Sequence, residues 1–166
     1  MKTALPLHQS LYILTAAKPA REMQTRSHPY LAAGTVQWVS QLAFEPLLIG
    51  VSVGIYSHLN ETIDHNGSFT LHLLEDKPSH REAVHLFSRD SKIEENTING
   101  WPYTLKDRAL IFEDLAYYHC QLLESYRLGD HTLHVGAVSE FQEPKENWQP
   151  LHTANLDFNY SPDSQK

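Results

Sequence analysis

The chain has 166 residues, of which 20% are charged and 41% are hydrophobic, and it carries a formal net charge of −7 at neutral pH. One domain, residues 1–166, is expected at this length, with a core that needs no disulfides. The acidic balance argues against nucleic acid and acidic membranes as partners, since both require clustered Lys and Arg. No stretch is long and apolar enough to span a bilayer. The single cysteine, Cys120, and the broken apolar run at the N-terminus, which does not resemble a signal peptide, predict a cytoplasmic protein.

The first half of the chain predicts strands arranged around a bend. Residues 11–16 are β-prone and predict a first strand. Residues 34–43 alternate between two faces with the period of a strand, and Phe44-Glu45-Pro46 predicts a bend. Residues 47–55 are almost wholly apolar, which is typical of a strand buried on both faces. Residues 56–62 are polar and predict a loop, so this region could hold a flat aromatic ligand with a polar tail.

The second half of the chain adds further strands and one helix. The predicted elements are, in order, a turn at Asn66-Gly67, a strand over 68–74, a helix from Lys77-Pro78-Ser79 with a Ser79–Glu82 capping box, a long loop over 88–108, a strand over 110–124 broken at Glu113-Asp114, a turn over 127–130, a strand over 131–140 and an edge strand over 148–152. Six or seven mostly antiparallel strands with one or two short helices predict a mainly β protein, most simply a small β-barrel.

Eleven histidines raise the question of a metal site, and their spacing argues against one. His131 and His134 lie three apart on a predicted strand and should point to opposite faces. His80 and His85 lie five apart on a predicted helix, roughly 140° apart around its axis. We therefore predict no metal ligands. The sequence also lacks a nucleophile elbow, a P-loop and a GxGxxG motif, and Cys120, inside an apolar strand, is expected to be a small buried hydrophobe.

Two patterns remain as candidates for a binding site. The first is the strand over residues 37–41 together with the polar segment 57–62, which an ordinary amphipathic strand and loop would also explain. The second is Gly129-Asp130-His131, a turn that delivers a histidine onto the first position of a strand and that could equally be a plain hairpin turn. An imidazole at a barrel rim is well placed to meet a phosphate or a carboxamide.

Four segments in this order resemble one known family. They are TVQWVSQLAFEPLLIGVSV, NGSFTLHLLED with the helix that ends in His85-Leu86-Phe87, LAYYHCQLLE and GDHTLHVGAV. Together they resemble the flavin reductase-like, FMN-binding split-barrel proteins, and most closely the flavin reductase domain of some flavodiiron proteins. The resemblance covers residues 10–160 and leaves a polar tail over 161–166. It implies a split β-barrel that forms a homodimer, with FMN near the subunit interface.

The resemblance also implies which residues form the site. Backbone groups along the isoalloxazine would come from Gln37, Trp38, Val39, Ser40 and Gln41. The ribityl chain and phosphate would be approached by Ser57, His58, Asn60 and Thr62. His131 matches a position near the nicotinamide nucleotide, where it would be the catalytic residue by orienting the dinucleotide or positioning the hydride donor. The hydride chemistry itself belongs to the cofactors.

The chain departs from the family pattern at three points. The bend has one proline where the family often has two, and His72 stands where an Asn-x-Leu motif is usual. No Lys or Arg lies between Arg26 and Lys77. The FMN phosphate would therefore need hydroxyls, backbone N–H groups, His58, or a cation such as Arg26, Arg81 or one from a partner subunit.

These observations lead to one expected function and two alternatives. The first is an NAD(P)H-dependent flavin reductase, with FMN or FAD as flavin, that supplies reduced flavin or electrons to a flavin-dependent partner protein. The second is an FMN-binding electron-relay module without its own reductase activity. The third is a haem-binding split-barrel protein, because related split barrels bind haem and this chain is rich in histidine.

Overall fold

The structure is a computed structural model that describes residues 7–18 and 30–156. Within these ranges it contains ten strands, two α-helices and one short 3-10 helix. The strands are β1 (Tyr12–Lys18), β2 (Tyr30–Val36), β3 (Val39–Phe44), β4 (Leu47–Gly54), β5 (Ser68–Leu73), β6 (Thr97–Ile98), β7 (Trp101–Lys106), β8 (Ala109–Phe112), β9 (Tyr117–Leu128) and β10 (His131–Gln142). The helices are α1 (His58–Asn66), α2 (Pro78–Leu86) and the 3-10 helix Thr153–Asn155.

Seven strands form one antiparallel sheet in the order β2-β1-β5-β9-β10-β4-β3, and β6, β7 and β8 form a second, smaller sheet. The edge strands of the large sheet, β2 and β3, are consecutive in the chain and separated only by Gln37 and Trp38. The sheet must therefore roll up until its two edges meet, although no ladder joins them. This is a split β-barrel, and the predicted mainly β fold is confirmed.

Two hydrophobic cores lie on opposite faces of the sheet. Alternate residues of β1 belong to different cores, because Ile13 packs with Phe87 and Phe112 whereas Leu14 packs with Phe69. The first core joins the large sheet to α2 and the small sheet. The second fills the barrel and is covered by α1.

Cys120 is a small buried hydrophobe, as predicted. Its side chain is fully buried in the second core, and burial raises the pKa of its thiol to about 12. A Cβ added at Gly136 would lie 2.7 Å from Cβ of Cys120 and 2.8 Å from Cε1 of Phe69. Cys120 and Phe69 thus pack directly against the backbone of β10.

The predicted loop over residues 56–62 is wrong, because most of it belongs to α1. Ser57 is the N-cap, and its side chain accepts a hydrogen bond from the Leu59 N–H at 3.2 Å. The helix ends at Gly67, whose φ of 73° is the left-handed conformation that favours glycine. The buried positions of α1 are Leu59, Thr62, Ile63 and Asn66. Two of these four are polar, so the apolar period that would reveal the helix is weak.

Several other predicted boundaries also change. The residues predicted as one strand over 34–43 divide between β2 and β3. The capping box is wrong, since Lys77 is the N-cap of α2 and Ser79 lies inside the helix. The region predicted as a long loop over 88–108 contains β6 and all of β7, whereas the break at Glu113-Asp114 is confirmed between β8 and β9.

The C-terminal region is only partly described. In place of the edge strand predicted over 148–152, the chain makes two isolated bridges, Glu75 with Pro150 and Ser10 with His152. The last residues of the predicted domain core and the predicted polar tail lie outside the described ranges.

The histidine side chains diverge as predicted. His131 and His134 point to opposite faces of β10, since one borders a surface cavity and the other is fully buried. On α2, His80 is buried and His85 is exposed. Among residues 7–18 and 30–156, no group of three or more His, Cys, Asp or Glu could hold a metal ion. The helices of the same ranges include none long and apolar enough to cross a membrane.

Two of the buried histidines are structural. His72 stands where the family usually has an Asn-x-Leu motif. Its Nδ1 lies 3.2 Å from the Ile13 carbonyl oxygen, and its Nε2 accepts a hydrogen bond from the Phe112 N–H at 3.1 Å. Burial lowers its pKa to about 3. His80 accepts the Glu75 N–H at Nδ1 at 2.8 Å, and burial, assisted by Lys77, lowers its pKa to about 4. Both rings are therefore neutral at physiological pH.

These lowered pKa values predict a loss of stability in mild acid. Below pH 6.5 the unfolded chain binds protons at His72 and His80 that the native state does not. Their stabilising contribution is therefore complete above pH 6.5 and is lost as the pH falls towards 4 and 3. Each group should lower the free energy of unfolding by up to about 1.4 kcal/mol per pH unit in this window. Urea unfolding at pH 7, 6 and 5 measures this slope. His80→Leu should reduce this dependence of the unfolding free energy on pH by the contribution of one histidine. An unchanged dependence would contradict the conclusion that His80 is neutral in the folded protein.

Candidate functional site

One cavity of about 490 Å³ brings several of the predicted site residues together. Its walls are β2 with the two residues after it, the end of β4, the start of α1, the segment that follows α2, and His131 at the start of β10. A volume of this size is typical of sites for cofactors and other small molecules. The cavity therefore lies along the seam where the two edges of the large sheet meet.

The cavity is narrow around β2 because two other elements approach its backbone closely. A Cβ added at Gly34 would lie 2.9 Å from Cδ1 of Leu59 in α1 and 3.7 Å from the Phe87 carbonyl oxygen. The Thr35 N–H donates to the same Phe87 carbonyl at 3.0 Å, and the Ser91 hydroxyl donates to the Ala33 carbonyl at 3.2 Å. These contacts hold α1 and the segment after α2 on either side of β2.

An aromatic ring and an imidazole form the wall beside the seam. The rings of Trp38 and His131 lie 4.6 Å apart between centroids, tilted by 54°. Nδ1 of His131 is 2.8 Å from the Asp130 carboxylate, and only 13% of the His131 side chain is exposed. Since a carboxylate can only accept, Nδ1 carries a proton and donates it to Asp130. Trp38 and Asp130 thus fix the orientation of the imidazole.

A second aromatic–histidine pair lies at the opposite end of β2. The Tyr30 hydroxyl is 2.9 Å from Nδ1 of His58, and the two rings meet edge to face at 6.3 Å. His58 is the first residue of α1 and follows the N-cap Ser57, so both are placed by the helix start. This end of the cavity offers a hydroxyl-rich, polar surface.

Arg89 is a residue that the sequence reasoning missed. It lines the cavity together with Ser88, Asp90 and Ser91, and within the described ranges it is the only Lys or Arg that does so. Of the cations considered from the sequence, Arg81 lies in an ion pair with Asp76 at 2.6 Å and does not line the cavity, and Arg26 falls outside the described residues. The signal that would have found Arg89 is the Ser-Arg-Asp-Ser run directly after the predicted helix.

Five of the predicted site residues line the cavity, namely Gln37, Trp38, Ser57, His58 and His131. Five do not, namely Val39, Ser40, Gln41, Asn60 and Thr62.

The second group is directed elsewhere by secondary structure. Ser40 and Gln41 are exposed on β3. Because residues 58–66 form a helix, the Thr62 hydroxyl donates to the His58 carbonyl at 2.7 Å, and Asn60 is hydrogen-bonded to His134. Binding by any of these ten residues remains a prediction.

Comparison with known protein families identifies one family. Residues 6–160 match the family described as "Flavin reductase like domain". No curated protein sequence matches the chain significantly.

Similar solved structures share this fold. The flavin reductase of styrene monooxygenase from Pseudomonas putida is 19% identical, with a TM-score of 0.69 over 87% of this chain and 85% of that one. An NADH:FAD oxidoreductase from Streptomyces globisporus is 16% identical, with a TM-score of 0.71 over 95% of this chain and 88% of that one. A structure from Sinorhizobium meliloti, 18% identical with a TM-score of 0.67, covers 88% of this chain, which spans only 46% of that protein. With a split barrel and a family match over residues 6–160, the chain belongs to the flavin reductase like family of flavin-binding oxidoreductases that its sequence resembles.

Proposed function

We propose that this protein is an NAD(P)H-dependent reductase that takes FMN as its flavin and supplies reduced flavin or electrons to a flavin-dependent partner protein. The observation that carries the proposal is that a single cavity joins the Trp38–His131 pair to a segment bearing Arg89 and hydroxyl groups. A flat apolar ring system suits the first surface, and a phosphate suits the second. One solved relative, the NADH:FAD oxidoreductase from Streptomyces globisporus, is described in complex with NAD and FAD fragments.

The residues of the cavity fit a flavin mononucleotide. Gln37 and Trp38 would border the ring system, and the backbone of β3 beyond them is the predicted continuation of that contact. The guanidinium of Arg89 would hold the phosphate through charge-assisted hydrogen bonds, while the neighbouring hydroxyls of Ser88 and Ser91 donate to the Val84 and Ala33 carbonyls and so fix the segment. When bound, the flavin supplies the hydride-accepting chemistry.

The protein's own contribution is orientation. The Asp130 carboxylate and the Trp38 ring hold His131 in one orientation at the cavity wall. From this position at the cavity wall the imidazole would hydrogen-bond a nicotinamide nucleotide. This hydrogen bond would place the nicotinamide nucleotide without any proton transfer by His131.

We also propose a homodimer in which a second copy covers the outer face of β9 and β10. Leu128 lies opposite His131, and Tyr126 lies opposite Leu133 on the same face. On β3, Leu42 reaches the same surface, because both Leu42 and Leu133 lie within 3.3 Å of a Cβ added at Gly50. Exposed fractions of 48% for Leu42, 51% for Tyr126 and 56% for Leu128 leave this face apolar and open beside the cavity.

The proposed cytoplasmic location is supported by the single cysteine, and cell fractionation would check it.

Leu128→Glu tests the dimer. A charge placed on this apolar face would be desolvated on association, so the variant should be monomeric while the parent protein has twice the chain mass by light scattering. Glu113→Gln, an exposed change on another surface, is the control. A parent protein of single-chain mass would contradict the dimer.

Arg89→Ala tests the phosphate site. Loss of the guanidinium should weaken FMN binding about tenfold or more and leave riboflavin, which has no phosphate, nearly unchanged. Fluorescence titration with both flavins measures the two dissociation constants. Arg81→Ala, which removes a cation outside the cavity, is the matched control. An equal loss of affinity for both flavins, or an unchanged affinity for FMN, would refute the role of Arg89 in phosphate binding.

His131→Ala tests the nicotinamide site and the reductase activity together. The parent protein loaded with FMN should lose its visible flavin absorbance when NADH or NADPH is added without oxygen. The variant should still take up FMN and show a KM for the nicotinamide raised about tenfold or more, since binding is lost and the flavin chemistry is not. If the parent binds FMN that stays oxidised with both nicotinamides, the electron-relay alternative replaces the reductase.

A further inference from the structure

A buried polar network joins α1 to the hairpin of β9 and β10 next to the cavity. The His134 side chain is fully buried, with Nε2 2.9 Å from the side-chain oxygen of Asn60 and Nδ1 2.9 Å from the Ser125 hydroxyl. The Ser125 hydroxyl in turn lies 3.1 Å from the Asp64 carboxylate. Each nitrogen of the ring is therefore matched by a group from a different element.

The surroundings of His134 would otherwise suit an apolar residue. Val51 lies directly opposite on β4 and belongs to the core that fills the barrel. Burial lowers the pKa of His134, and the opposing effect of the Asp64 carboxylate is smaller. The neutral ring has one proton. The Asn60 oxygen can only accept, so this proton lies on Nε2, and Nδ1 and the Asp64 carboxylate then share the single proton of the Ser125 hydroxyl.

The partner of His134 lies in the part of α1 that shapes the cavity. Asn60 is the third residue of the helix, directly after the cavity-lining residues Ser57, His58 and Leu59. On its apolar side this turn is held by the close approach of Leu59 to Gly34. On its polar side it is tied to the barrel by the hydrogen bond from His134, across 74 positions of sequence.

We propose that His134 is a positioning residue, which fixes the first turn of α1 through Asn60 and so holds at the cavity wall Ser57 and His58, the two residues there that the resemblance places near the ribityl chain and phosphate of the flavin. The inference rests on the proposed function for the identity of the ligand. A ring 0% exposed cannot itself touch a ligand in the cavity. Its effect must therefore pass through the backbone of α1.

The test compares FMN with riboflavin in three variants. His134→Leu removes both hydrogen bonds, Asn60→Ala removes only the one to α1, and His134→Gln retains an N–H donor for the Asn60 oxygen. We expect about tenfold weaker FMN binding in the first two variants, riboflavin binding within about twofold of the parent, and FMN binding largely restored in His134→Gln. His80→Leu, which removes a buried, hydrogen-bonded histidine from α2, should leave both affinities unchanged.

A second measurement needs no flavin. Amide hydrogen exchange of residues 58–61 in the flavin-free protein should be faster in His134→Leu and Asn60→Ala, and unchanged in His80→Leu. Unchanged exchange in folded variants would overturn the anchoring of α1. Faster exchange together with an equal loss of affinity for FMN and riboflavin would overturn the proposed effect of His134 on phosphate binding. If the parent protein binds neither flavin, the proposed function fails, whereas the exchange data alone still decide whether His134 anchors the helix.

Discussion

The architecture depends on how the two edges of the large sheet are joined. β2 and β3 are at opposite ends of the strand order, yet only Gln37 and Trp38 separate them in the chain. A ladder between them would have used the backbone groups at this seam in strand pairing. With a covalent connection instead, the seam remains a gap, and the hydrogen bond from the Ser52 N–H to the Trp38 carbonyl at 2.9 Å extends the β3–β4 ladder and ties the connecting pair to the β3 edge. The cavity lies along this gap.

The same constraint explains how the site combines distant parts of the sequence. Because the gap runs the length of β2, elements that pack against β2 from either side become cavity walls. α1 approaches through Leu59 and the segment after α2 approaches through Phe87, both at Gly34, where an added Cβ would displace the Leu59 side chain. His131 reaches the cavity from the β4 side, because β10 pairs with β4 and begins opposite Gly54. Three loops or helix ends thus meet at one strand.

The sequence allowed much of the fold to be predicted, since strand periodicity and turn residues are local signals. The buried strand after Pro46, the break at Glu113-Asp114 and the Gly129-Asp130 turn all correspond to boundaries in the structure. The helix α1 was missed because its buried face includes Thr62 and Asn66, whose polar groups bond to the helix backbone, to Ser68 and to Arg108. Propensity and period carry no information about such partners.

The candidate site was less predictable for a related reason. Trp38 and His131 could be proposed from a resemblance, but Asn60 and Thr62 could not be recognised as facing away from the cavity until their segment proved helical. The polar run that contains Arg89 is an ambiguous local signal, because a polar run after a helix is usually a solvated loop. The place of Arg89 in the cavity depends on contacts of its neighbours with β2, such as that of Ser91 with Ala33. These are contacts between segments more than 50 residues apart.

The charge of the whole chain gives Arg89 its importance. A net charge of −7 repels a phosphate dianion, but salt at physiological strength screens exposed charges beyond about 8 Å. Binding therefore depends on groups that touch the phosphate, and Asp90 beside Arg89 offsets part of its charge. A single guanidinium attracts a phosphate less than a cluster of cations would. Such a site suits a reductase that must release its flavin to a partner, because the affinity that holds oxidised flavin also delays the departure of the reduced form.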